Sequence, residues 1–135
     1  PMSWQDAKAL EHKGHKIAAH TQTHRILSKL DDETSQSEIV RSIETVRSKT
    51  GADAKVFAYP TGRDSDYSSR EIGYLDSAGI SASVGTTAMT FNCANLTALT
   101  LQDKHSIPRF SMPESLPDFV QYLSWIEHLK SRLRS

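Results

Sequence analysis

Cysteine is almost missing from this chain of 135 residues: Cys93 stands alone, so no disulfide can close within it and the redox compartment stays unreadable. One thiol among mixed apolar and polar neighbours reads as a small packing residue, and nothing beside it marks a nucleophile. Net charge is missing too. Sixteen Lys and Arg balance sixteen Asp and Glu, which leaves no electrostatic footprint for nucleic acid or an anionic membrane. The closest approach to a basic run, Lys130-Ser-Arg-Leu-Arg134, reads as a solvated helix end favoured by the helix dipole. No window nears the roughly twenty apolar residues of a membrane span, and no charged-then-apolar leader opens the chain. Repeats, low-complexity tracts and linkers are absent as well. The length fits one domain, residues 1–135, with a modest core. The chain opens on Pro1 rather than Met, which reads as a processed or truncated piece.

What is present is an alternation of helical and extended signals. Ser3 is an N-cap for a short helix with Trp4, Ala7 and Leu10 on one face and Gly14 as its stop. Lys16 to Ala19 reads as a short buried strand. Ser35 and Glu38 have capping-box spacing, and Ile39, Val40, Ile43 and Val46 follow at helical spacing up to Gly51. Lys55 to Tyr59 is strand-like and ends at Pro60-Thr-Gly62. A third helix is expected from Asp66 to Ala78, with Ser68 and Glu71 as a second capping box, then a strand over Ile80 to Val84.

The segment Gly85 to Lys104 is least readable; a strand over Leu96 to Leu101 is one expectation for it. Ser106 to Ser111 is extended, with Pro108 placing it at an edge. A last helix starts at Ser115-Leu-Pro-Asp118 and carries Leu116, Phe119, Val120, Leu123, Ile126 and Leu129. Strands alternating with helices imply an α/β fold: a mostly parallel sheet, or part of a barrel.

Two motifs follow strands, where sites of α/β folds assemble. His20-Thr-Gln-Thr-His24 places two imidazoles four residues apart. If the residues between them make one helical turn, both can reach one divalent metal such as zinc. The same residues also read as surface polar groups or helix caps, since six histidines make such a spacing easy to meet by chance. Thr21, standing where H-E-x-x-H would need Glu, excludes a zinc protease. His12, His15, His105 and His128 read as solvated or structural. Tyr59-Pro60-Thr61-Gly62 reads as a plain turn, or as one that presents a backbone N–H outward to form an oxyanion hole.

Together the two motifs resemble the polysaccharide deacetylases, the carbohydrate esterases that share the NodB homology domain. Gly14-His-Lys-Ile-Ala-Ala-His-Thr-Gln-Thr-His24, running on to Leu27-Ser-Lys-Leu30, is similar to that family's "G-x-E-I-x-x-H-[ST]-x-[ST]-H…L-S" segment. Phe57-Ala-Tyr-Pro-Thr-Gly62, with Ser77-Ala-Gly-Ile80 after a helix, is similar to its "F-x-x-P-[YF]-G…A-G-[YF]" segment. The resemblance implies a distorted (β/α) barrel. It also implies a divalent cation, commonly zinc, held by one Asp and two His, here His20 and His24, and hydrolysis of N-acetyl groups on a sugar polymer. Thr61 then supplies the backbone oxyanion donor, and Tyr59, Pro60 and Gly62 line the substrate. Pro108-Arg109 matches a late "P-R" segment of some members, which puts Arg109 near the site.

The family's T-F-D-D-type motif, source of the base and of the metal Asp, should stand several tens of residues before the histidines. Only nineteen residues precede His20, with Asp6 and Glu11 the acids among them. The late "L-x-H" motif is not recognisable, Ala58 stands where an Arg is frequent, and Thr61 where an aromatic is.

The expectation is therefore a partial barrel lacking its N-terminal strands, weakly active or inactive alone. The polysaccharide is its partner, and self-association could cover an open sheet edge. Location outside the cytoplasm follows from the resemblance. Two other outcomes stay open: a non-catalytic carbohydrate-binding module of the same fold, and another metal hydrolase with Asp64, Asp66 or Asp103 as third ligand.

Overall fold

The computed structural model describes residues 2–87, 98–109 and 112–123. Cys93, Leu96 and Thr97 of the expected strand, Phe110 and Ser111 of the expected extended segment, the helical positions Ile126 and Leu129, His128 and the basic run after it lie outside the described residues.

Helix α1 spans Trp4–His12, and its capping box is Ser3 with Asp6. A 3₁₀ turn at Leu27–Lys29 leads into α2, Asp32–Thr50, which ends at a left-handed Gly51. Strand β1 is Val56–Ala58, α3 is Ser69–Ser77 behind the expected Ser68–Glu71 box, and β2 is Ala82–Val84. The short α4, Leu101–Lys104, and α5, Leu116–Leu123, complete the described elements.

Four extended segments lie side by side in chain order and run parallel. Val56, Phe57 and Ala58 of β1 pair with Ala82, Ser83 and Val84 of β2. Single bridges add Ala19 beside Phe57 and Ile107 beside Val84. Sequential parallel neighbours joined by helices are the winding of an α/β sheet or of a barrel segment. Phe57, Tyr59, Leu27, Ile39, Ile43 and Leu75 are fully buried where the helices meet the sheet.

Several expectations shift. The strand expected over Lys16 to Ala19 contracts to the bridge at Ala19, because the Ile17 N–H turns aside to the Glu11 carboxylate at 3.0 Å. Helix α3 starts at Ser69 rather than Asp66, which is occupied in the preceding turn. Leu101 begins α4 and is no strand residue: Thr100 caps the helix, accepting from Asp103 N–H and donating to its carboxylate.

The largest correction concerns α2. Its N-cap is Asp31, whose carboxylate accepts from Thr34 N–H at 2.8 Å, so the Ser35–Glu38 capping box does not form. Ser35 lies one turn inside the helix, fully buried, and its hydroxyl donates to Glu71 at 2.8 Å. Glu71 also accepts from Ser68 N–H and hydroxyl, both at 2.8 Å, and from Arg70 Nε at 2.8 Å. Arg70 reaches on to Asp32 and to the carbonyls of Leu27 and Leu30.

Burial pushes the Glu71 carboxyl up, but the Ser68, Ser35 and Arg70 donors outweigh it and hold it below its ordinary 4.5. Its stabilising contribution is therefore complete above that pH and fades as the pH falls beneath it. Removing one member of a buried charged network strands the others. Glu71→Ala is expected to cost about 3 kcal/mol in chemical unfolding; a loss below about 1 kcal/mol would show that the network carries little of the fold.

Candidate active site

The bridge between Ala19 and Phe57 sets the two motifs next to each other. Ala58 N–H donates to the Ala19 carbonyl at 3.0 Å, so His20 and the turn after Tyr59 leave adjacent segments at the same, C-terminal end of the sheet. His20 Nδ1 is 2.7 Å from the Ala58 carbonyl oxygen. A carbonyl can only accept, so Nδ1 is the donor and Nε2 is the nitrogen left for a ligand. The His24 ring lies 4.8 Å away, centroid to centroid, at 72°. Both rings are exposed.

No helical turn brings them together. Thr21 and His24 both have left-handed backbones, with φ of 62° and 59°, and the His24 N–H donates to the Thr21 hydroxyl at 3.1 Å. Left-handed geometry costs a residue with a Cβ roughly 1–2 kcal/mol. It persists where surrounding contacts over-determine it, which is frequent at functional sites.

The contacts here come from Glu38 on α2. Its carboxylate accepts from Gln22 N–H and Thr23 N–H, each at 2.9 Å, and from the Thr23 hydroxyl at 2.7 Å. Burial pushes Glu38 up, yet those donors, with Arg25 nearby, hold it below the usual glutamate value. Hydrogen bonds to a charged group contribute about 1.5–3 kcal/mol each, enough to offset the backbone strain.

The second motif is a turn with the same character. Thr61 and Gly62 are left-handed, φ 57° and 70°. The Thr61 hydroxyl meets the Asp66 carboxylate, which also accepts from Arg63 N–H at 2.9 Å and so closes the turn. Gly62 O accepts from Thr86 N–H at 2.8 Å, and Thr61 O from the Thr86 hydroxyl at 2.7 Å. That docking needs Gly85 bare: a Cβ there would stand 2.9 Å from Gly62 O.

Thr61 is exposed, while Tyr59, Pro60 and Gly62 are buried beneath it. Tyr59 stacks on Tyr67 with centroids 3.8 Å apart, and its hydroxyl donates to the His105 carbonyl at 3.0 Å. His105 is itself buried, its Nδ1 2.8 Å from the Ser83 hydroxyl, which makes it structural as expected. His12 and His15 are exposed.

Arg109 is exposed and follows the bridge at Ile107, so it leaves the same end of the sheet with β2 between it and the Thr61 turn. Among the described residues no third His, Cys, Asp or Glu completes a cluster with His20 and His24. Asp66 and Asp103 spend their carboxylates on local turns and caps, and Asp64 accepts from Thr87.

Glu38 and Asp66 went unrecognised as site supports in the sequence. A signal exists for the first: Ser35, Glu38 and Ser42 are polar residues on the stripe that Ile39, Ile43 and Val46 bury. Polar groups on a buried stripe need partners from elsewhere in the fold.

Two solved structures share the fold. The Streptococcus pyogenes deacetylase PplD, in complex with acetate, superposes with a TM-score of 0.75 at 18% identity, over 91% of this chain and 51% of that one. A de-N-acetylase from Aggregatibacter actinomycetemcomitans gives 0.67 at 12% identity, over 90% of this chain and 53% of that one. The chain thus spans about half the length of either. No curated protein matches it. The family described as polysaccharide deacetylase matches residues 1–82, which include the whole of both motifs, and the chain belongs to that family.

Proposed function

We propose that this chain carries the two-histidine part of a metal-dependent site that removes N-acetyl groups from an N-acetylglucosamine polymer. The observation that carries the reading is the pairing of His20 and His24, rings 4.8 Å apart, with His20 Nδ1 committed to the Ala58 carbonyl. A ligand histidine anchored through its other nitrogen is the usual outer-shell arrangement of a metal site. The donor set therefore fits a borderline divalent ion, zinc first. Bound there, such an ion supplies Lewis-acid polarisation of an acyl carbonyl and of water.

The remaining roles fall to the chain itself. His20 would hold the ion through Nε2, its Nδ1 being taken by the Ala58 carbonyl, and His24 through a ring nitrogen. Thr61, exposed and left-handed at the neighbouring turn, offers its backbone N–H to the oxyanion. Tyr59, Pro60 and Gly62 form the floor that fixes the turn beneath the sugar, and Arg109 approaches from the far side of β2. No T-F-D-D-type motif stands in this sequence, so a third ligand and a carboxylate base are to be supplied from outside the chain, and the chain alone turns over weakly or not at all. Family membership favours a location outside the cytoplasm, and no helix among the described residues is long and apolar enough to cross a membrane.

Calorimetric titration with zinc is expected to show binding that His20→Ala or His24→Ala abolishes; wild-type protein that ignores zinc would overturn the metal reading. With N-acetylglucosamine oligomers and added zinc, we expect little acetate release. Rapid turnover would show that the base lies within these residues, and glycan binding indifferent to both histidines would mark a binding module instead.

Self-association belongs to the same reading. The segment at Ala19 has a strand neighbour on one side among the described residues, and Met2 and Trp4 stand exposed. Sedimentation should find species larger than a monomer, and a monodisperse monomer would count against it.

A further inference from the structure

We propose that Glu38 is the positioning residue of the histidine pair: from the buried side of α2 it sets the shape of the loop that lets both imidazoles address one ion. The inference rests on the metal reading above and deepens it. Three donors converge on this one carboxylate, and all come from Gln22 and Thr23, which lie between the two histidines. One oxygen takes both consecutive amides at 2.9 Å and the other takes the Thr23 hydroxyl at 2.7 Å.

Two successive N–H groups can point at a single oxygen only if the chain bends between them, and that bend is what brings His24 back beside His20. The residues flanking the clamp, Thr21 and His24, are the ones held in the left-handed region. Glu38 is 8% exposed, so it meets neither solvent nor a bulky substrate directly and acts through the loop. Its helix is independently anchored, since Ser35, one turn earlier, is tied to Glu71. The clamp is therefore fixed from the α2 side and acts on the loop.

This differs from a plain structural contact in what it predicts. Glutamine at position 38 can accept both amides on its carbonyl oxygen and donate to the Thr23 hydroxyl, so it keeps the loop shape without the charge; alanine keeps neither. Zinc affinity of the full chain is measured by calorimetry at a temperature where circular dichroism shows each variant folded. Glu38→Ala is expected to weaken zinc about 10–100-fold, the range typical of outer-shell partners, while Glu38→Gln stays much nearer wild type. Amide hydrogen exchange of Gln22 and Thr23 should be protected in wild type and in Glu38→Gln, and fast in Glu38→Ala.

Should Glu38→Ala fail to fold, Thr23→Ala removes one of the three bonds, and a smaller loss of zinc affinity is expected from it. Wild-type binding with no loss in any folded variant would overturn the positioning role and leave the metal reading standing. Wild-type protein that does not bind zinc would overturn both.

Discussion

The carboxylate of Glu71, fully withdrawn from water, is the interaction on which the rest of the arrangement depends. A buried charge is tolerable only when its lone pairs are filled, and Ser68, Ser35 and Arg70 fill them. In doing so they lock the start of α3 to the first buried turn of α2. Arg70 extends the lock to the carbonyls of Leu27 and Leu30, which close the chain between the histidine loop and α2. Helix α2 has no freedom to slide after that. Ser35 and Glu38 lie three residues apart on it, so fixing one fixes where the other presents its carboxylate.

From this follows a division of labour between two glutamates that look alike in sequence. Each follows a serine by three residues, and each pattern reads as a capping box. Only Ser68–Glu71 is one, and its glutamate then does more than cap, since it also bonds Ser35 across the interface. Glu38 is drawn away from its helix by Gln22 and Thr23. Local spacing cannot separate the two cases, because the difference lies in partners far along the chain.

That is also the boundary of what the sequence made legible. Helices with their own stop and start signals, such as α1 between Ser3 and Gly14 and α2 at its Gly51 end, were readable because those signals are local. That the histidine loop and the turn after Tyr59 fall on the same side was readable too, since both follow extended segments of one parallel sheet; that the segments are neighbours was not. The beginning of α2, the contraction of the strand before His20 and the left-handed loop were not. Each is decided by a tertiary hydrogen bond that overrides a local preference: Asp31 capping four residues early, Glu11 taking the Ile17 amide, Glu38 taking the loop. The helical turn imagined between His20 and His24 fails for the same reason.

The hydrogen bond from His20 Nδ1 ends on a main-chain oxygen, that of Ala58, rather than on a side chain. Orientation of the imidazole is thereby insulated from the identity of the residue at that position. The resemblance noted in the sequence implies an arginine there where this chain has Ala58, and the anchor is the same for either side chain. The side chain at position 58 can therefore change while the geometry of His20 stays inherited from the backbone of β1.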